Sequence, residues 1–467
     1  MALIKSISGF RGTIGGKPND NLTPLDMVKF ASAYGSWLNS KSAGKKKVVV
    51  GRDGRMSGNM VEAMVEQSLM ALGIDVIHLG LSTTPTVEMA VVFEKADGGI
   101  ILTASHNPKE WNALKLLNEK GEFVSAEEGK TILSIAANED FNYATIDELG
   151  KIISDNNSLE KHIQAILQYP LVNKKAIEAA NFSVVVDAIN SSGAFTVPAL
   201  LNALGVKNIT VLNEEMTGNF AHNPEPLKEH LTDLCSTVTS KKASLGIAVD
   251  PDVDRLCFVS EDGELFGEEY TLVAVADYIL QNKKGATVSN LSSTRALRDI
   301  TKQHGCNYFA SAVGEVNVVN MMKQEKAVIG GEGNGGIIVP DLHYGRDALI
   351  GIALFLSHLA TSNKSASALR ASYPAYFMSK KKMDLNASLS LNTIFNALET
   401  KFAAFPINKV DGFKIDFEEE WVHLRTSNTE PIMRIYTEAK SQKAADELAD
   451  KIISIIHSNK LPDPDRG

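Results

Sequence analysis

Ile100-Ile-Leu-Thr-Ala-Ser105-His-Asn-Pro108 joins a short apolar run to a polar loop, and this unit indicates the fold class. The arrangement returns where residues 245–249 precede the acidic stretch 250–255, and where residues 327–330 lead into a glycine-rich loop. Longer amphipathic stretches separate these runs, which is typical of an α/β protein whose strands are covered on both faces. Ligands of open α/β sheets bind beyond the carboxyl ends of the strands, so the loops are candidates for a functional site.

The length of the chain indicates several domains. At 467 residues, 44% hydrophobic, it is long enough to bury more than one core. Polar stretches and changes of pattern predict four domains, at residues 1–155, 156–256, 257–372 and 373–467. The last one differs in character, because short alternating strands precede an amphipathic helix, and it is expected to be a smaller α+β domain.

Composition excludes several classes of partner. A formal net charge of −9 argues against binding to nucleic acid, which rewards clustered Lys and Arg. Three cysteines without metal-ligand spacing predict neither a disulfide framework nor a zinc site, and fit a reducing cytoplasm. No apolar run approaches the length of a membrane span. We therefore expect a soluble cytoplasmic protein that contacts neither membrane nor nucleic acid.

The loop around Ser105 is a candidate nucleophile site. Pro108 fixes its own φ and biases Asn107 away from helical geometry, so Ser105 is expected on an irregular loop that presents its hydroxyl. A simple turn explains the stretch as well, since Ser, Asn and Pro are common turn residues. A serine nucleophile also needs an activating partner, which spacing alone does not reveal.

The acidic stretch is a candidate metal site. Asp250, Asp252 and Asp254 alternate along an extended turn, where their carboxylates can converge on one hard cation that offsets their repulsion. An EF-hand is excluded, because Arg255 stands where that loop needs Gly and the following residues 256–259 read as a strand. The pattern favours one Mg²⁺, with a solvated acidic turn as the alternative.

Two further loops carry groups suited to a sugar phosphate. In the glycine-rich stretch 330–336, Glu332 and Asn334 can bind the hydroxyls of a polar ligand, and the stretch Tyr344-Gly-Arg346-Asp347 is expected to brace the same loop. The stretch 425–429 offers a guanidinium, hydroxyls and an amide as a cradle for a phosphate. A polar hairpin turn explains the second stretch equally well.

In this order the loops resemble the α-D-phosphohexomutase superfamily. The resemblance begins at Ser8-Gly-Phe-Arg11-Gly12, continues through Gly51-Arg52-Asp53-Gly-Arg55-Met-Ser-Gly58, and extends to the loop that starts at Arg425. It implies three consecutive α/β mixed-sheet domains and a smaller C-terminal α+β domain around a central cleft. It also implies that hexose 6-phosphate and hexose 1-phosphate are interconverted through a phosphoserine, with Mg²⁺ as cofactor and a hexose 1,6-bisphosphate as intermediate or activator.

The resemblance also implies a role for each matched residue. The implied catalytic residues are Ser105, His106, Arg11 and Lys115, and the implied Mg²⁺ ligands are Asp250, Asp252, Asp254 and the phosphorylated Ser105. The implied substrate-binding residues are Arg255, Glu332, Asn334, Arg425, Ser427, Asn428 and Thr429. Gly336 departs from the pattern, since many members have a proposed proton-transfer His there, and Lys115 alone or His343 is expected to take that role.

The choice of substrate stays open at this point. The opening motif and Glu-Gly-Asn-Gly-Gly are closer to the archaeal-type phosphoglucosamine mutase group, with a phosphomannomutase or phosphoglucomutase as the alternative. A metal-dependent sugar phosphatase would share the serine and the carboxylates. A non-catalytic protein that binds sugar phosphates is a third possibility. The partner in every case is a small sugar phosphate, and the chain is expected to be a monomer or a homodimer.

Overall fold

The computed structural model describes residues 3–6, 9–385, 391–426 and 432–458. Four sheets follow one another along these residues, each built from a consecutive stretch of chain. Among the described residues no helix combines the length and the apolar character that a bilayer crossing requires.

The first unit is a seven-stranded mixed sheet with helices on both faces. Its elements are β1 (Ile4–Ser6), β2 (Gly9–Thr13), α1 (Pro24–Lys41), β3 (Lys47–Arg52), α2 (Gly58–Ala71), β4 (Asp75–Leu81), α3 (Thr84–Phe93), β5 (Gly98–Leu102), β6 (Trp111–Leu117), α4 (Ala126–Asn138) and β7 (Ile152–Ser154). The strand order is β1-β2-β6-β5-β3-β4-β7. β3, β4, β5 and β7 run parallel, whereas β6 pairs antiparallel with both β2 and β5.

The second unit has a four-stranded sheet in the order β11-β10-β8-β9. Its elements are α5 (Ser158–Gln168), α6 (Lys174–Ala180), β8 (Ser183–Asp187), α7 (Gly193–Ala203), β9 (Asn208–Leu212), α8 (Thr232–Ser240), β10 (Leu245–Val249) and β11 (Leu256–Ser260). Only β11 is antiparallel to its neighbour β10. The domain boundary placed after residue 256 in the sequence falls inside β11, and the pairing with β10 carries the second unit to Ser260.

The third unit repeats this plan with the strand order β13-β12-β14-β15. Its elements are α9 (Glu268–Asn282), β12 (Thr287–Asn290), α10 (Ala296–Gln303), β13 (Tyr308–Ser311), α11 (Glu315–Glu325), β14 (Ile329–Glu332), β15 (Gly336–Ile338), α12 (Ala348–Ser362) and α13 (Ala366–Ala371). The last strand, β15, is again the antiparallel one.

The C-terminal unit is smaller and its sheet is antiparallel throughout. Its elements are β16 (Phe377–Asp384), α14 (Leu391–Lys401), β17 (Ile407–Asn408), β18 (Phe413–Asp416), β19 (Trp421–Thr426), β20 (Ile432–Ala439) and α15 (Gln442–Ser458). Strands β18, β19 and β20 and the final helix match the short alternating strands and the amphipathic helix that the sequence predicts, whereas β16 and β17 were not predicted. The expected fold class, three mixed-sheet α/β units and a smaller α+β unit, is therefore confirmed.

The hydrophobic cores do not follow the division of the chain into four sheets. One continuous core spans the second and third units, and α12, almost entirely buried, packs against α5, α6, α7 and α9 within it. Each of these units also has a smaller apolar core of its own. The first unit has cores on the two faces of its sheet, and the C-terminal unit has its own. The second and third units are thus joined by apolar burial.

The N-termini of α3 and α12 lie where the polar loops meet, at the carboxyl ends of the strands. Thr83 caps α3 by accepting a hydrogen bond from Thr86 N, and Pro85 occupies the first turn, where its missing N–H costs nothing. Asp347 caps α12 in the same way through Leu349 N and Ile350 N. The loops after β5, β10 and β14 meet beside these two caps.

Candidate active site

Ser105 lies at the centre of the site, three residues after β5. Its hydroxyl donates a 2.7 Å hydrogen bond to Asp250 Oδ2, and His106 Nδ1 is 3.4 Å away. The backbone of Ser105 has φ +49°, the left-handed region that is uncommon for a side-chain-bearing residue. Such a conformation persists only where surrounding contacts hold it. The serine loop is therefore held under strain by its neighbours.

Arg55 supplies most of those contacts. Its guanidinium donates to the carbonyl oxygens of Ser105, Asn107, Pro108 and Trp111. Its Nε donates to the carboxylate of Asp53, and that carboxylate also accepts from Thr103 just before the loop. The sequence motif 51–58 marks this region, but nothing in the sequence shows that Arg55 reaches the serine loop, about fifty residues on.

The three aspartates follow β10 and are fully buried. Asp250, Asp252 and Asp254 each present a carboxylate oxygen within 4.8 Å of the others. Asp250 Oδ1 accepts from the backbone N–H groups of Asp254 and Arg255, which closes the loop. Val253 at its tip has φ +60°, a rare conformation for a β-branched residue. Tight backbone geometry thus forces the carboxylates together.

The carboxylate oxygens fit a hard cation. Asp252 Oδ1 and Asp254 Oδ1 are buried and have no hydrogen-bond partner among the residues that the structure describes. Burial, together with the neighbouring charges of Asp252 and Asp254, raises the pKa of Asp250 well above its usual range. A cation between the three would relieve both costs, and oxygen ligands are those that Mg²⁺ prefers.

Two cationic side chains contact these carboxylates. Lys115 Nζ, on β6, lies 2.7 Å from Asp252 Oδ2 and 3.5 Å from Asp254 Oδ2, and Arg346 Nη2 lies 2.6 Å from Asp254 Oδ2. Burial lowers the pKa of Lys115, but the two aspartates outweigh it and raise the pKa above its ordinary value. Lys115 is therefore a positive charge in this state.

Arg11 and His106 lie beside the serine. Arg11, on β2, donates through Nη1 to Asn107 Oδ1 at 2.8 Å, and its strand pairs with the strand of Lys115. Burial, with the charges of Arg255 and Arg11, lowers the pKa of His106 well below its usual value. His106 is consequently neutral.

The glycine-rich loop presents Glu332 at the end of β14. Its Oε1 accepts from Asn290 Nδ2 at 2.9 Å and from Gly314 N at 3.1 Å, and its Oε2 accepts from Arg346 Nη1 at 3.0 Å. Of the stretch 344–347 that was predicted to brace this loop, Arg346 is the residue that contacts Glu332. Asn334 turns its side-chain oxygen to Gly336 N, 3.2 Å away, and so closes its own turn.

Sequence reasoning missed the loop that begins α11. Glu315 accepts from both the backbone N and the Nε of Arg346, so that Arg346 links three carboxylates: Asp254, Glu332 and Glu315. Valine and glycine precede Glu315, and no pattern of residue types marks them as a site. The loop is recognised only because the fold brings it to the rim.

These groups line a cleft of about 500 Å³. Its walls include Ser6, Arg11, Ser105, His106, Lys115, Arg255, Glu315, Asn317, Glu332 and Arg346. Arg255 is held there by Glu225, whose Oε1 is 3.1 Å from its Nη1. His343, one of the two residues considered for the proton-transfer role, lies elsewhere: it is buried between Glu88 and Asp347 and does not line this cleft.

Arg425 lies at the end of β19 in the C-terminal unit. Its Nε is 2.9 Å from Asp411 Oδ2, and the same oxygen accepts from the backbone N of Val313 at the rim of the cleft. Arg425 is therefore linked to the cleft through one carboxylate. Ser427, Asn428 and Thr429, predicted to bind phosphate with it, lie outside the described residues.

Comparisons with known proteins agree with this arrangement along the whole chain. The matching family descriptions are phosphoglucomutase/phosphomannomutase alpha/beta/alpha domain I at residues 4–143, domain II at 160–263, domain III at 267–376, and the C-terminal domain at 383–455. A phosphoglucomutase/phosphomannomutase of Thermococcus kodakarensis is 35% identical over 95% of this chain and 98% of its own length. A probable phosphoglucosamine mutase of Methanopyrus kandleri is 33% identical over 96% of each. The fold is shared with a putative phosphomannomutase from Thermus thermophilus at a TM-score of 0.82 and 24% identity, covering 98% of this chain and 99% of that one.

Proposed function

The chain belongs to the phosphoglucomutase/phosphomannomutase family and is a phosphohexomutase, and from that premise we propose how it works. It interconverts hexose 6-phosphate and hexose 1-phosphate by way of phosphorylated Ser105 and a hexose 1,6-bisphosphate. The observation that carries this proposal is the hydrogen bond from Ser105 Oγ to Asp250, inside a cluster of three buried aspartates.

Mg²⁺ is the cofactor that the donor set suits. Asp250, Asp252 and Asp254 would hold it, together with an oxygen of phosphorylated Ser105. When bound, it offsets the charge of the phosphoryl group and aligns it for transfer. The two unpartnered oxygens, Asp252 Oδ1 and Asp254 Oδ1, support this assignment.

The chain's own groups prepare the transfer. Phosphoryl transfer depends mainly on alignment and charge neutralisation, and Arg11 and Lys115 bring positive charge to the serine loop. The bond between phosphorus and Ser105 Oγ breaks as the sugar hydroxyl oxygen bonds to phosphorus, and the proton that the sugar hydroxyl loses ends on Ser105 Oγ, which becomes a free hydroxyl again. His106 Nδ1 lies 3.4 Å from Ser105 Oγ, which places it to relay that proton.

The second half of the reaction returns the other phosphate to Ser105. The bisphosphate must turn over within the cleft, so its distal phosphate needs a separate grip. Arg425, with Ser427, Asn428 and Thr429, would provide it, with Arg255 nearer the reacting phosphate. Glu332 and Asn334 would bind the sugar hydroxyls.

Glucosamine phosphate is the substrate that we favour. Among the similar proteins, those of Methanopyrus kandleri and Pyrococcus abyssi carry the name probable phosphoglucosamine mutase. A second candidate, glucose or mannose phosphate, is favoured by the relative from Thermococcus kodakarensis that is 35% identical. We place the enzyme in the cytoplasm, and its state as monomer or homodimer stays a prediction.

The test compares wild type with Ser105→Ala on glucosamine, glucose and mannose phosphates. We expect the wild type to isomerise glucosamine phosphate fastest, and the variant to lose covalent phosphate and orders of magnitude of activity, because the phosphoryl group loses its carrier. Ser240→Ala, an exposed serine at the end of α8, is the control.

The alternatives give different results in the same assay. Release of inorganic phosphate without isomerisation would identify a phosphatase. Binding without turnover or covalent phosphate would identify a binding protein, and faster turnover of glucose or mannose phosphate would replace the substrate while keeping the reaction.

A further inference from the structure

The start of α3 touches the acidic loop directly. Thr84 is fully buried, its hydroxyl donates to Asp252 Oδ2 at 2.6 Å, and its backbone N donates to Asp252 O at 2.9 Å. Thr84 belongs to the first unit and Asp252 to the second, 168 residues later. One residue thus holds both the side chain and the backbone of a proposed metal ligand.

The two oxygens of Asp252 are divided between different tasks. Oδ2 accepts from Thr84 and Lys115, whereas Oδ1 is buried without a partner. Because Oδ2 is fixed, the carboxylate of Asp252 cannot rotate freely, and Oδ1 is held in one orientation beside the other two aspartates. Hydrogen bonds of this kind to ligating carboxylates commonly tune metal affinity.

The next turn of α3 is fixed by a buried group that we call the histidine cluster: Thr86, Glu88, His162, His343 and Asp347. Thr86 Oγ1 is 3.1 Å from His162 Nδ1, and His162 Nε2 is 3.0 Å from Asp347 Oδ2. His343 Nε2 is 3.3 Å from the same oxygen, and its Nδ1 is 3.4 Å from Glu88 Oε2. All five side chains are buried.

The histidine cluster connects three units. Thr86 and Glu88 are on α3 of the first unit, His162 is on α5 of the second, and His343 and Asp347 lead into α12 of the third. Burial lowers the pKa of His343, but its contacts with Asp347 and Glu88 outweigh this and raise the pKa to about 10, while burial raises the pKa of Glu88 to about 8. The polar contacts of Thr86 with His162 and of Glu88 with His343 therefore join α3 to the fused second and third units.

We propose that the first two turns of α3 position the magnesium loop, with Thr84 as the positioning residue for Asp252 and the histidine cluster as the anchor of the helix. This rests on the proposed metal site. Thr84 does not touch the metal or the substrate; it sets the orientation of a group that does. Its effect should therefore appear in metal affinity before it appears in turnover.

The test measures metal binding directly, by titration calorimetry with Mg²⁺ and by electron paramagnetic resonance with Mn²⁺. Thr84→Val keeps the shape of the side chain and removes its hydroxyl. We expect it to raise the dissociation constant for the metal about 10–100-fold. Thr84→Ser should restore it to within a few-fold of wild type. Thr437→Val, at a buried threonine of β20 that bonds Ala445 O, is the control and should bind as wild type does.

Thr84→Val binding within twofold of wild type would overturn the positioning role. Asp252→Asn distinguishes that outcome from failure of the metal site itself. If Asp252→Asn and Thr84→Val both bind metal normally, the metal loop is misassigned. If Asp252→Asn loses the metal and Thr84→Val does not, only the role of Thr84 is wrong.

His343→Gln tests the anchor. It should weaken metal binding several-fold, although His343 is remote from the metal ligands, and should lower the melting temperature. Where this variant does not fold, Thr86→Val removes a single contact of the cluster and serves instead. Wild-type metal affinity in a folded anchor variant overturns the anchor. So does a second, tightly bound metal ion in wild type that His343→Gln loses, because the cluster would then be a metal site of its own.

Discussion

The two interfaces that the third unit forms with its neighbours differ in chemical character. Between the second and third units the contact is apolar and continuous, and α12 packs into both. Between the third and C-terminal units it is polar: Arg295 donates to the carbonyl oxygens of Phe417, Glu418 and Glu420, and Lys414 Nζ donates to Leu291 O. Apolar burial on this scale makes two units one body, whereas polar interfaces allow relative motion.

The difference matches what the proposed reaction requires at the two ends of its bisphosphate intermediate. The acidic loop and Glu332 lie on the fused body, and Arg425 lies on the unit that has its own core and a polar junction. A bisphosphate that must turn over needs a rigid reacting centre and a distal grip that can release and close again. The contrast between the junctions suits that requirement.

The largest expected effect comes from the fused core. Leu354→Ala on α12 removes a fully buried side chain and should cost about 2–5 kcal/mol, shared by the second and third units because they unfold together. Ile415→Ala, in the C-terminal core, should lower the stability of that unit alone. Scanning calorimetry with hydrogen exchange distinguishes the two, with the 69%-exposed Leu25→Ala as control.

If Leu354→Ala leaves hydrogen exchange of the second sheet unchanged, the two units are not one body. If Ile415→Ala destabilises all units equally, the C-terminal unit is not independent.

A smaller effect is expected from Arg425→Ala. A guanidinium can bind phosphate through two charge-assisted hydrogen bonds, so its loss should weaken substrate binding by about 1.5–3 kcal/mol. The variant should also lose the bisphosphate, and so need added hexose 1,6-bisphosphate to remain active. Steady-state kinetics with and without bisphosphate measure both.

Arg434→Ala is the matched control, since Arg434 pairs with Arg425 across the sheet and is exposed. An Arg425→Ala enzyme with unaltered KM and no added need for bisphosphate would leave residues 425–429 as a hairpin turn.

The sequence predicted local features well and long-range ones poorly. Ser105 and the three aspartates could be picked out as candidates because each of the two loops follows an apolar strand and has a distinctive pattern. The link from Arg346 to Asp254 spans 92 residues, and that from Arg55 to Ser105 spans 50, so neither leaves a local signal. The sequence alone does not show which distant carboxylates or carbonyl groups an arginine in a loop will contact.

The fusion of two cores was equally hidden. Residues 348–362 are apolar on nearly every side, which predicts a buried helix but not which elements bury it. The same holds for His343, which was considered for the cleft on its residue type and lies instead with Glu88 and Asp347. A sequence shows that a residue is buried, whereas the residues that it packs against depend on the topology of the fold.

The last expected effect is a pH dependence of the polar junction. Burial lowers the pKa of Lys414 to about 8, although the charges of Asp416 and Glu438 oppose this. In the unfolded chain the pKa is near 10.5, so between these values the unfolded state binds more protons than the folded one. The C-terminal unit should therefore gain stability as the pH rises from about 8 to about 10, by at most about 1.4 kcal/mol per pH unit.

Lys414→Met isolates this contribution, because methionine keeps an unbranched apolar chain over Trp421 and cannot titrate. Denaturant unfolding of the C-terminal unit, followed by Trp421 fluorescence at pH 8, 9 and 10, should show a slope in wild type that the variant lacks, while the fused body shows the same pH profile in both proteins. Equal slopes for wild type and variant would mean that Lys414 keeps its proton at the junction, and that the junction is wet enough to solvate a full charge. The polar junction would then differ from the apolar one even more sharply, since water itself would be part of the contact.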